Sequence, residues 1–269
     1  MSAKFRFIGI SASHTTAKEQ AMQFFEYGQN HTNTILLLHG GGLSWWNYRE
    51  AAALLGEAYH VILPILDGHA GSDRPFTTIE DNAAEILSFL DERCNGAAKL
   101  IGGLSLGGQI LLEMLSQRKD VCAYALVESA AVLPARLTNA LIAPAFGSSY
   151  GLIRNRHFAK LQFQSLHIKP ELFEDYYRDT CRIQKKDMIA FLKANTSYAL
   201  KASFGESSAK IHVYIGEKET REIRRSAEII AKRHPACTVH RLPGLAHGEF
   251  SINYAAQYAA AVRQILQNG

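Results

Sequence analysis

The chain has 269 residues, 47% of them hydrophobic and 20% charged, with a net charge of +4 and a sequence pI near 8.8. That length supports one large α/β domain or two small ones, and the balance is that of an ordinary globular protein. The charge is too mild to argue for nucleic acid, no run of 18 or more apolar residues argues for a membrane span, and the apolar stretch Phe5 to Ile10 is too short for a signal-peptide core. Four scattered cysteines (Cys94, Cys122, Cys181, Cys237) without a CxxC pair predict free thiols in a reducing, cytoplasmic compartment.

In chain order, Lys4 to Ile10 alternates weakly and predicts an antiparallel edge strand. Ile35 to Leu38 is the first buried strand, followed by a helix over Trp46 to Glu57 and a strand at Val61 to Leu63. Ile79 to Arg93 has helical spacing, with Ala83, Ile86, Leu87 and Leu90 on one side. A strand around Lys99 to Gly102, a helix from Gln109 to Leu115 and a strand at Ala123 to Val127 continue the rhythm. Alternation of this kind predicts βαβ units, a mostly parallel central sheet and helices on both faces.

The rhythm breaks between 133 and 209, where Pro134, Pro144 and Pro170 punctuate helical patterns without a convincing strand. Pro170 to Glu174 has the marks of a helix start, and Lys186 to Lys193 forms another helix. Alternation resumes with a strand at Ile211 to Ile215, a helix at Glu222 to Arg233, a strand at Thr238 to Leu242 and a last helix from Asn253 to Gln267. The domain reading is therefore an α/β core of residues 1–132 and 210–269 with a helical insertion at 133–209. The basic stretch Arg221 to His234 carries interleaved glutamates and is a solvated helix face.

The most informative motif is Gly103-Leu104-Ser105-Leu106-Gly107, a Gly-x-Ser-x-Gly between a predicted strand and a helix. A serine on such a turn presents its hydroxyl at the sheet edge, and the N–H of Leu106, at a helix N-terminus, is placed to stabilise an oxyanion. Ser105 needs a base, and among 11 histidines His247 stands in a glycine-flanked loop after the last strand, at the carboxyl edge of the sheet. Glu219, after the strand ending at Ile215, is the preferred acid to orient it; Glu128 is the rival at an earlier strand end, and Glu217 is a solvated loop charge. His39-Gly40-Gly41-Gly42 follows a strand directly, so Gly41 is the candidate second oxyanion donor, with Gly42 as runner-up and His39 as a buried hydrogen-bonding residue. Neither glycine cluster has nucleotide-binding spacing, no metal-ligand pattern such as HExxH occurs, and no cofactor is expected.

These segments, together with Gly68-His69-Ala70-Gly71-Ser72-Asp73, run in the order found in the α/β-hydrolase superfamily, which the chain resembles from residue 38 to 247. The resemblance implies the α/β-hydrolase fold with an inserted helical cap at 133–209, and a Ser105–His247–Glu219 triad in the family's nucleophile–acid–base order. Glu rather than the commoner Asp stands at 219, and Ala70-Gly71 departs from the usual Gly-x. Serine rather than aspartate at 105 argues against dehalogenase and epoxide hydrolase chemistry. The expectation is a serine hydrolase acting on a small carboxylic ester through an acyl-enzyme, with a thioesterase, a lactonase, a C–C bond hydrolase or a non-catalytic ligand-binding protein as alternatives. The expected partner is a small molecule with an apolar group, with no nucleic acid and no membrane; oligomeric state is not legible. Phe and Tyr are concentrated between 146 and 204, either as an apolar lid over the substrate or as packing for a thin helical layer. Trp45 and Trp46 face the same two alternatives.

Overall fold

The computed structural model describes residues 22–267. Seven strands form one sheet in the order β1-β3-β2-β4-β5-β6-β7. They are β1 (Phe24–Tyr27), β2 (Thr34–Leu38), β3 (His60–Pro64), β4 (Ala98–Leu104), β5 (Cys122–Glu128), β6 (Lys210–Gly216) and β7 (Cys237–Leu242). Only β1 is antiparallel to its neighbour, pairing Phe25 with Leu63; the remaining pairs are parallel, with Leu38 opposite Gly103 and Val127 opposite Val213. The weakly alternating Lys4–Ile10 lies outside the described residues, and the antiparallel edge position is held by β1.

Because side chains alternate across a strand, each parallel strand feeds two cores. Leu36, Leu38, Ile62, Ile101 and Val127 bury against α2 (Ile79–Arg93), α3 (Leu106–Gln117) and α8 (Arg221–Arg233). Ile35, Leu37, Val61, Leu100 and Leu126 bury against α1 (Arg49–Leu55) and α10 (Ala255–Gln267) on the opposite face. The α2 boundaries match the sequence expectation because local chemistry sets them. The Thr78 side chain accepts from Asp81 N at 2.9 Å, Glu80 and Asp81 occupy the first turn, and Arg93 closes the last.

Between β5 and β6 the chain leaves the sheet and builds the inserted helical region: α4 (Arg136–Ser149), a 3-10 turn at 150–154, α5 (Arg156–Ser165), α6 (Phe173–Thr180) and α7 (Lys185–Ser197). One predicted helix is divided: Trp45–Tyr48 is a 3-10 turn that precedes α1. The last predicted helix, Asn253 to Gln267, is α10, and a short helix the sequence did not suggest, α9 (Glu249–Asn253), precedes it with Tyr254 between them. The Asn253 side chain, at the end of α9, donates to His167 O at 2.7 Å and accepts from Lys169 N at 3.0 Å, fastening the insertion to the core.

Candidate active site

Ser105 links β4 to α3 with φ 52° and ψ −109°, a left-handed conformation rare for a residue with a side chain. The turn is held by Ser105 N donating to Glu128 O at 2.8 Å and Gln109 N donating to Ser105 O at 2.9 Å. The flanking glycines are required by contact. A Cβ on Gly103 would strike the backbone of Gly107, and one on Gly107 would strike the backbone of Leu38. The α3 N-terminus thus sits directly against the end of β2, where the Gly40–Gly42 loop begins.

Ser105 lines a cavity of about 340 Å3 together with Gly41, Leu104, Glu219 and His247. That volume lies at the small end of the range for ligand pockets. His247 Nδ1 and Glu219 Oε2 are 3.1 Å apart, across the loops that follow β7 and β6. Those loops are joined by their backbones: Glu217 N donates to Leu242 O at 2.9 Å and Lys218 N donates to Leu245 O at 2.9 Å. Glu217, expected to be a solvated loop charge, is exposed, and its carboxylate also accepts from Gly244 N at 2.9 Å and braces the His247 loop. Arg224 donates to Glu219 O at 2.6 Å from α8 and fixes the acid's backbone.

The Glu219 side chain is almost fully buried, whereas that of His247 is 48% exposed. Burial alone would raise the Glu219 pKa, but the His247 hydrogen bond and charge outweigh it and hold it below the usual carboxylate value. For His247, loss of solvation opposes protonation; the hydrogen bond and charge of Glu219, helped by the charge of Glu128, prevail and raise its pKa above 6.5.

Glu128 is away from the cavity. Its buried carboxylate accepts from Ser251 N in α9 at 3.2 Å, its second oxygen has no partner, and burial pushes its pKa up to about 7. Of the two acids considered, Glu219 is therefore the one brought to His247.

Among the described residues neither Leu106 N nor Gly41 N has an acceptor, and Gly41 lies on the cavity wall. Gly42 N, the runner-up, is occupied: it donates to His69 Nε2 at 3.0 Å. His39 is buried, with Nε2 accepting from Leu66 N and Nδ1 next to Gly40 O, so it fixes the loop as expected. His69 is a residue whose part the sequence reading did not draw. Its Nδ1 meets Asp67 O at 3.0 Å and its ring stacks on Phe191 of α7, 4.5 Å between centroids. Burial lowers its pKa to about 4, so it is a neutral brace with both nitrogens in use. The signal was the Gly68–Asp73 segment itself.

The insertion contributes Ser165, Leu166, His167 and Ile168 to the cavity wall. None of its Phe or Tyr residues lines the cavity: Phe163 packs inside the helical layer against Phe173 and Tyr176, Phe191 stacks on His69, and Phe158 is exposed. Trp45 stacks on Phe25, and Trp46 is buried with Nε1 donating to Asp179 Oδ2 at 2.9 Å, so neither tryptophan lines the cavity.

The family model described as "Alpha/beta hydrolase family" matches residues 35–262. The chain is 30% identical over 115 residues to a thermostable monoacylglycerol lipase of Bacillus sp. (strain H-257), covering 40% of this chain and 45% of that one. It is 29% identical over 154 residues to Lipase 1 of Psychrobacter immobilis, covering 55% and 48%. The matches thus span about half the length of these curated relatives. Among solved structures, a thermophilic esterase from Thermogutta terrifontis superposes with a TM-score of 0.77 at 18% identity, covering 94% of this chain and 96% of that one. A hydrolase from Pseudomonas aeruginosa superposes with a TM-score of 0.76 at 15% identity, covering 93% and 97%. With a parallel sheet carrying serine, acid and histidine at its carboxyl edge in that order, and a family match that spans most of its length, the chain belongs to the alpha/beta hydrolase family.

Proposed function

We propose that this chain hydrolyses a small carboxylic ester through an acyl-enzyme. The observation that carries the reading is the hydrogen-bonded Glu219–His247 pair lining one cavity with a serine held in a left-handed turn. His247 takes the Ser105 hydroxyl proton as Oγ attacks the ester carbonyl carbon. The resulting oxyanion lies against the N–H groups of Gly41 and Leu106. His247 then passes the proton to the leaving alcohol as the C–O bond breaks. Water, deprotonated by His247, attacks the acyl-enzyme; collapse returns the proton to Ser105 and frees the acid. Glu219 holds the His247 tautomer and stabilises its cation. The two curated relatives, both named as lipases, support ester hydrolysis as the reaction class.

The test is steady-state hydrolysis of p-nitrophenyl acetate through octanoate by the native chain and Ser105→Ala. A loss of about 10⁴-fold or more in kcat is expected, and the chain-length profile sizes the cavity. A fluorophosphonate probe should label the native chain and not Ser105→Ala. A folded native chain that neither turns over any ester nor takes the label would overturn the reading in favour of ligand binding.

A further inference from the structure

A solvated helix face is ordinarily polar. α4 departs from that: Ile142 is its one buried residue, yet Leu137, Ala140, Leu141, Pro144 and Ala145 are all exposed. Among the described residues, six of the seven large hydrophobic side chains left exposed lie between 137 and 166: Leu137 (78%), Leu141 (57%), Leu152, Phe158, Leu161 (69%) and Leu166. Isolated exposed leucines need no account, but a cluster confined to one insertion does. The spacings place Leu137 with Leu141 on one face of α4 and Phe158 with Leu161 on one face of α5. The turn at 150–154, which carries exposed Leu152, packs against both helices and joins them.

The charge pattern of the same segment is one-sided. From 129 to 170 the chain contains no Asp or Glu, where its overall acid content would place about four. Arg136, Arg154 and Lys160 are exposed there without an ion-pair partner among the described residues. A second copy of the chain docking two-fold on this face would set these cations against their own equivalents. An anionic lipid surface meets both properties at once, with headgroup phosphates for the cations and acyl chains for the leucines. No described helix is long and apolar enough to cross a membrane, but a surface-lying helix needs neither length nor continuous hydrophobicity.

We infer that α4, the turn at 150–154 and α5 form a docking face for anionic lipid bilayers. The C-terminal end of α5 runs into Ser165–Ile168 on the cavity wall, so docking brings the cavity mouth to the lipid surface. The lack of a spanning helix among the described residues bears on insertion into a membrane and not on peripheral contact. Bilayer docking does not rest on ester hydrolysis, and its test is run on catalytically disabled protein so that the two fail separately.

The experiment is flotation of the Ser105→Ala chain with vesicles of phosphatidylcholine alone and with roughly 30% phosphatidylglycerol. Flotation with the anionic vesicles, reduced with neutral ones and weakened by about 0.5 M NaCl, is expected. Adding Leu141→Ser and Leu161→Ser, both exposed and away from the cavity, should lower partition at least about tenfold with the melting temperature retained. A second pair, Arg154→Gln and Lys160→Gln, should abolish the preference for anionic over neutral vesicles. The proposal is overturned if the unsubstituted face does not bind anionic vesicles, if the leucine variant binds equally, or if sedimentation shows a dimer that the leucine variant dissolves without vesicle binding.

Discussion

At the scale of the residue, the site turns on two glutamates at neighbouring strand ends with opposite environments. Glu219 is paired with His247; Glu128 has one backbone donor and an oxygen left without a partner. Glu219→Gln should lower kcat by about 10³–10⁴-fold, because the amide no longer stabilises the histidine cation. It should also move the acid limb of the rate profile to lower pH, since Glu219 is what raises the His247 pKa. Glu128→Gln should stay within about tenfold of the native rate, having no contact with the reacting atoms. Its effect is on stability. Native Glu128 takes its proton near 7 and the unfolded chain near 4.5, so between those values the folded state holds more protons and loses stability as pH rises. Relative to the native chain, Glu128→Gln should therefore gain on the order of 1–3 kcal/mol between pH 5 and pH 8, read from urea midpoints. An equal change at both pH values would count against a buried, proton-bearing carboxyl.

At the scale of the element, the strand–serine–helix turn depends on how closely α3 approaches β2. Gly107→Ala forces a Cβ onto the backbone of Leu38 and His39, which no rotamer relieves, and should cost about 3 kcal/mol or more. Gly42→Ala provides the contrast. Its φ of 74° is unfavourable for alanine, but its Cβ would meet nothing within 4 Å, so a cost near 1 kcal/mol is expected. Thermal melts of the two variants separate steric contact from backbone strain, and similar losses in both would contradict the close approach. Local signals made the central elements legible: α2 has its cap, acids and closing arginine in sequence, and the inner strands are nearly continuous apolar runs. β1 was missed because Phe24-Phe25-Glu26-Tyr27, half-buried at the sheet edge, neither alternates nor runs fully apolar.

At the scale of the molecule, the insertion is stitched to the core by buried polar contacts. Asp179 accepts from the Trp46 indole, Asp187 accepts from Phe76 N at 3.0 Å, and the Gln109 and Asn195 side chains bond across α3 and α7. These seams set the position of Ser165–Ile168 over Ser105. Trp46→Phe removes a donor from buried Asp179 and should cost about 1–3 kcal/mol. Amide exchange should accelerate in residues 173–180 with α2 little changed, and KM should rise more than kcat falls. Unaltered exchange in that helix would mean the tryptophan does not hold the insertion down.

The sequence by itself determined the parallel strands, the serine turn between β4 and α3, and a short set of acids and histidines at strand ends. Each of those is a record of burial or backbone conformation along a continuous stretch of chain. Tertiary structure decided that His247 meets Glu219 and not Glu128, that His69 occupies the Gly42 N–H, and that Phe163 and Tyr176 pack inside the insertion while Leu137, Leu141 and Leu161 face out. The first two depend on distances between segments separated by 27 residues or more, where periodicity carries no information and loop geometry, register and packing choose the partner.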